Sequence, residues 1–198
     1  WGSTDTTAPN NVTLESPSDG AYTNNHRQMF RFKAATVGDA GSGLGKYKLF
    51  IDNPGSSDFT VDDIPTSRTS DLEESTFVAK YENFSDSDNS NNYISIYTKS
   101  SSKWCSTCND GKLAEGKVRW SVISVDNSSN EASAGFDLYA DFTAPIITNV
   151  SLNVTPNSAT ITWDTIEKAT SIVEWGLTSS YDKTDQDKTL TASHSLTI

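Results

Sequence analysis

The sequence predicts an all-β chain folded as two β-sandwich modules in a row, and three observations predict it. Short strand-like runs recur, bounded by Gly, Pro, Asn and Asp, with no convincing amphipathic helix between them. The composition leans to Ser, Thr, Asn and Asp, which suit turns and sheet edges and are poor in helix interiors. A phrase also repeats: Asp5-Thr6-Thr7-Ala8-Pro9 opens the chain, and Asp141-Phe142-Thr143-Ala144-Pro145 returns later. Proline fixes an extended path and ends strand pairing, so each copy reads as punctuation before a module.

The elements of the first module follow in order. Val12 to Glu15 is the first run, then Gln28 to Ala35. Lys46 to Asp52 places Tyr47, Leu49 and Ile51 on one face, as the twofold period of a strand requires. Ser75 to Tyr81 and Tyr93 to Thr98 come next. Lys117 to Val125 is the clearest run, with Val118, Trp120 and Val122 alternating, and Gly135 to Ala140 closes the module. The stretches from Asn53 to Ser75 and from Glu82 to Asn92 read as extended loops or an insertion. In the second module the runs are Ile146 to Val154, Ser158 to Asp164, Thr170 to Gly176 and His194 to Ile198. Hydrophobic residues make up only 34% of the chain, which thin sandwiches tolerate because alternate strand residues face inward.

Charge narrows the function classes. The chain carries 15 basic and 26 acidic residues, a net charge of −11, with no basic cluster, so nucleic-acid binding is not expected. No apolar run is long enough to span a membrane. Trp1-Gly2-Ser3-Thr4-Asp5 does not resemble a signal peptide, so the chain is expected to be mature or part of something longer.

Cys105 and Cys108 form a Cys-x-x-Cys in a polar segment. A local disulfide is the expectation, with free thiols or a metal site as alternatives. A disulfide would agree with an extracellular setting. His26 and His194 are expected to be surface or edge histidines, and the motifs of the common hydrolases are missing. No catalytic residues are assigned. Calcium is the ligand best matched by the Asp and Asn loops, with Asp126, Asp141, Asp86 and Asp88 as candidate carboxylates and the module junction near Asp126 or Asp141 as the favoured place. The competing reading is that these side chains cap turns. Trp104, with Tyr97 near it, is a candidate sugar-stacking platform, or packing over the disulfide. Asn11, Asn83, Asn127, Asn149 and Asn153 head glycosylation sequons, some of which chance alone would supply.

Two resemblances sharpen this picture. Ser16-Pro17-Ser18-Asp19-Gly20, Ser42-Gly43-Leu44-Gly45-Lys46-Tyr47 and Trp120-Ser121-Val122 running into Asp126-Asn127-Ser128-Ser129-Asn130-Glu131 are similar to a bacterial immunoglobulin-like repeat. In the Asp-x-x-Gly-Asn turn of such repeats, Ser129 stands where Gly belongs. Ala159-Thr160-Ile161-Thr162-Trp163 and Ala169-Thr170-Ser171-Ile172-Val173-Glu174-Trp175-Gly176 resemble fibronectin type III, especially the version that precedes purple acid phosphatase catalytic domains. Phosphatase activity is not implied, because that family's metal ligands lie in the domain that follows. The resemblances imply residues 1–9 as a linker, 10–141 as an immunoglobulin-like sandwich with long loops, and 142–198 as a fibronectin type III-like domain lacking its last strands.

Such a domain exposes an open core and an unpaired edge at Ser193, Leu196 and Ile198. Three explanations compete: a longer chain, a strand supplied by a partner, or a small stable variant. The function expected is a non-catalytic structural or adhesive module of an extracellular cell-surface or filament protein. Its partners would be other modules, neighbouring subunits or surface glycans. The alternatives are an accessory domain pair of a secreted hydrolase and a filament subunit assembled by strand exchange.

Overall fold

The structure is a computed structural model that describes residues 4–36, 41–53, 58–66, 68, 70–74, 77–82, 92–98 and 112–198. It is all-β, with no helix among the described residues. The chain divides into two units, Trp1–Phe142 and Thr143–Ile198.

Unit 1 contains β1 (Thr13–Ser16), β2 (Ala21–Thr23), β3 (Met29–Lys33), β4 (Leu44–Asp52), β5 (Phe59–Pro65), β6 (Leu72–Glu73), β7 (Phe77–Glu82), β8 (Tyr93–Thr98), β9 (Gly116–Asp126) and β10 (Glu131–Ala140). One sheet runs β1-β3-β8-β7-β6 and the other β2-β10-β9-β4-β5. All pairings are antiparallel except that of β2 with β10, which is parallel. Alternation fills the space between the sheets. Phe30, Phe32, Ile94 and Ile96 from one meet Tyr47, Leu49, Trp120 and Val122 from the other in a single buried cluster. Aromatic rings bridge the layers, with Phe30 5.2 Å from Trp120 and Phe32 edge-on to Tyr47 at 5.3 Å.

The stretch from Asn53 to Ser75 is not simply loop, since it holds β5 and β6. Asp62 and Asp63 disguise β5, an edge strand whose buried side chains are Val61 and Ile64 and which exposes Thr60, Asp62 and Asp63 to water. Gly45 is the extra residue of a bulge in β4, between pairs Leu44–Asp126 and Lys46–Val125. A Cβ there would lie 3.2 Å from the Asp126 carbonyl, so the close approach calls for glycine.

The Ala35 N–H donates to the buried Tyr47 hydroxyl at 2.9 Å, and burial pushes that phenol well above its ordinary range. Tyr47→Phe removes this hydrogen bond. A loss of about 1–3 kcal/mol is expected in urea denaturation of unit 1.

Unit 2 contains β11 (Ile147–Val154), β12 (Ala159–Trp175) and β13 (Lys183–Thr197) in one antiparallel sheet of that order. The two runs expected from Ser158 to Gly176 are one strand. No Gly or Pro interrupts Thr165 to Ala169, so the backbone stays extended and only the pairing shifts there.

Candidate functional site

Cross-strand pairing assigns the two faces of unit 2, because directly paired residues share a face. Leu152, Ile161 and Leu196 form one row, and Val154 pairs with Ala159 beside it. Trp163 pairs with His194 on the same side, as does Ile147 with Thr165. The opposite face carries Ser151-Thr162-Ser195 and Asn153-Thr160-Thr197, the last two joined by hydroxyls 2.9 Å apart. Over these rows one face is predominantly apolar and the other polar, whereas farther along β12 the Ser171–Asp187 pair brings a carboxylate to the side of His194. The apolar face is nevertheless exposed along β11, with Ile147 at 60%, Val150 at 66%, Leu152 at 61% and Val154 at 65% accessibility. A sheet of this kind requires a second layer to bury its apolar side.

At one place that face is closed by its own residues. His194 is buried and stacks flat on Trp163, 5.0 Å between centroids. Its Nε2 is hydrogen-bonded to Thr165 Oγ1 at 2.8 Å and its Nδ1 to Ser171 Oγ at 2.7 Å. The expectation of a surface or edge histidine is thus corrected for His194. Its parity with Leu196 and Ile198 was the sequence signal for an inward position. Both ring nitrogens meet hydroxyls, so the cluster satisfies its buried polar atoms. His26 lies exposed in unit 1, stacked on Phe142 at 3.6 Å.

A second polar centre lies in the β9–β10 turn. Asp126 Oδ1 accepts from the amides of Ser128 and Asn130, both at 2.8 Å, and Oδ2 accepts from the Asn130 side chain at 2.8 Å. Burial opposes ionisation at Asp126, but these hydrogen bonds outweigh it and hold the carboxyl below its usual range. Asp5 comes close enough to repel it, and is itself held low by the amides of Thr7 and Ser42. The turn thereby fastens the N-terminal segment: Asn130 Nδ2 reaches the Asp5 carbonyl at 3.2 Å, and Ser124 Oγ reaches that of Asn10 at 2.8 Å.

The same turn answers the departure from the glycine pattern. Ser129 sits at φ +70°, a left-handed conformation that favours glycine. Ser129→Gly is expected to raise the stability of unit 1 by up to about 1 kcal/mol in chemical denaturation.

The remaining candidates are dispersed. Asp126 and Asp141 flank opposite ends of β10 and do not share a site. Asp141 borders a shallow cavity with Tyr22, Thr23 and Asn24. Among the described residues no three His, Cys, Asp or Glu side chains are grouped to hold a metal. Cys105, Cys108, Trp104, Asp86, Asp88 and Asn83 lie outside the described residues. Tyr97 is partly exposed on β8, with the Lys80 ammonium 5.6 Å from its ring centroid. Asn11 and Asn153 are exposed. The Asn127 amide donates to the Ser42 and Gly43 carbonyls, and that of Asn149 to Asp164, so glycosylation at either would break a contact. Ser193, Leu196 and Ile198 lie at the end of the chain along β13, which has β12 as its strand neighbour among the described residues.

Five carboxylates, those of Asp5, Asp126, Asp137, Asp164 and Asp187, are held below their usual range by hydrogen bonds or cations. A lowered folded value means stability that is present above the unfolded value, near 3.9, and lost as pH falls through the folded one. Melting temperature is expected to hold between about pH 7 and 5 and to fall below about pH 4 in calorimetry.

No family model matches the chain, and no curated protein matches it either.

Proposed function

We propose that this chain is a non-catalytic structural and adhesive module of an extracellular cell-surface or filament protein. The observation that carries the reading is the contrast between the units. Unit 1 buries its core between two sheets, whereas unit 2 offers an open apolar sheet face. A chain so built supplies a packed block and an exposed apolar surface. Its charge of −11 favours solubility and keeps unspecific contacts apart. The immunoglobulin-like and fibronectin-like resemblances point the same way.

The test is location. Antibodies raised against unit 1 are expected to label intact source cells or shed filaments without permeabilisation. Labelling only after lysis would overturn the reading. Strand exchange is a second reading, favoured by the outer edge of β13. It predicts hydrogen-exchange protection at alternate amides from Ser193 to Ile198 on assembly.

A further inference from the structure

We propose that the outer face of β2 and β10 in unit 1 binds a neutral sugar, with Tyr22 as the platform on which a pyranose ring stacks. The proposal rests on the adhesive reading above and gives it a ligand class and a place.

Register builds the site. β2 and β10 run parallel, with Tyr22 opposite Tyr139. Leu138 and Ala140 are buried, so alternation turns the two tyrosines outward. Their rings stack 5.1 Å apart at 22°. Two residues on, about 6.6 Å along the strands, come Asn24 and Asp141. The Asp141 N–H donates to the Thr23 carbonyl at 2.9 Å and carries the pairing to that point. Tyr22, Thr23, Asn24 and Asp141 line a shallow cavity of about 360 Å³, the size class of a small-molecule site.

The chemistry of the lining selects the ligand. Tyr139 covers one face of the Tyr22 ring, and at 77% exposure the other face is open to water. Neither phenolic hydroxyl nor the Asn24 amide has a hydrogen-bond partner among the described residues. A pyranose offers a flat face of C–H bonds for an aromatic ring and a rim of hydroxyls that both donate and accept. The open tyrosine face suits the first. The Asn24 amide, which donates and accepts, and the accepting Asp141 carboxylate suit the second. The lining is also held in place. Thr23 Oγ1 donates to Gln28 Oε1 at 2.8 Å and accepts from the Asn25 N–H at 3.0 Å, which fastens the segment carrying Asn24. A rigid tyrosine on a fastened segment binds with little ordering cost.

Other ligand classes fit less well. Nucleic acid and acidic polysaccharides would meet the Asp141 carboxylate on a chain of charge −11. The nearby Lys117 ammonium is already held by Asp137 at 2.9 Å. An acyl chain needs an apolar depth that this shallow, polar-lined cavity does not give.

Titration of the isotope-labelled whole chain with cellohexaose, chitohexaose and mannohexaose, followed by NMR, tests this. At least one is expected to bind with a Kd of about 0.1–1 mM, the range for one small platform. Intermolecular NOEs from its ring protons to the Tyr22 ring are expected in the unmutated chain. Tyr22→Ala should weaken binding about tenfold and Asn24→Ala about threefold. Binding should change little between about 50 and 500 mM NaCl, because the ligand is uncharged. No binding of any of the three sugars up to about 10 mM overturns the proposal. So does binding that leaves the Tyr22 signals unmoved, or tighter binding of polygalacturonate than of the neutral sugars. If intact cells are labelled but no sugar binds, the surface-module reading survives and this site does not. Sugar binding with labelling only after lysis supports the site and overturns the surface reading.

Discussion

Trp120→Ala is expected to cost unit 1 about 3–5 kcal/mol, a large share of the 5–15 kcal/mol typical of a domain. Trp120 is fully buried on β9, the central strand of its sheet. It touches Phe30 across the sandwich and meets Phe136 edge-on at 6.0 Å from the neighbouring strand. Truncation opens a cavity between two layers whose backbones are pinned by hydrogen bonds, so little can collapse into it. Trp120→Phe is the control. It keeps most of the volume and removes an indole N–H with no hydrogen-bond partner among the described residues, so its cost should be much smaller. Urea denaturation checks both. A loss under about 1 kcal/mol for the alanine variant would show that the core is not organised around this ring.

His194→Ala is expected to unfold unit 2 selectively. It leaves the buried Ser171 and Thr165 hydroxyls without their imidazole partner and removes the ring stacked on Trp163, at a cost of about 1–3 kcal/mol. In a three-stranded sheet that is a large fraction of what is available. Hydrogen exchange should show unit 2 amides losing protection while those of β9 and β10 keep theirs. Equal loss in both units, or in neither, would count against the cluster as the fastening of the small sheet.

The strands that were legible in the sequence are those whose inward residues are large and strictly alternating. Tyr47-Leu49-Ile51 and Val118-Trp120-Val122 announced β4 and β9, and Tyr93 to Thr98 is β8 to the residue. The strands that were not legible face water on one side or are very short. β5 carries two aspartates in seven residues, and β2 and β6 have three and two residues, too few for a period to show. The break expected between Asp164 and Thr170 failed for a different reason. Between the two runs the chain carries Ile166, Glu167 and Lys168, none of which ends a strand. The candidate calcium residues were chosen for their oxygens, and Asp126 uses both of its own to cap a turn. Parity with Leu196 along β13 places His194 inside. Which side chains of unit 2 share the exposed face became clear only from the register.

The N-terminal segment fastens at Asn130, where β10 begins, and the chain leaves unit 1 just past Ala140, where β10 ends. Tension applied between Asp5 and Asp141 therefore runs along that strand, over about 30 Å. β10 is held by β9 on one side and by β2 on the other, through inter-strand hydrogen bonds set across the direction of pull. Such a load shears many bonds together instead of peeling them one by one. The turn at Asp126 thus gives the unit two handles at opposite ends of a strand that is paired on both sides.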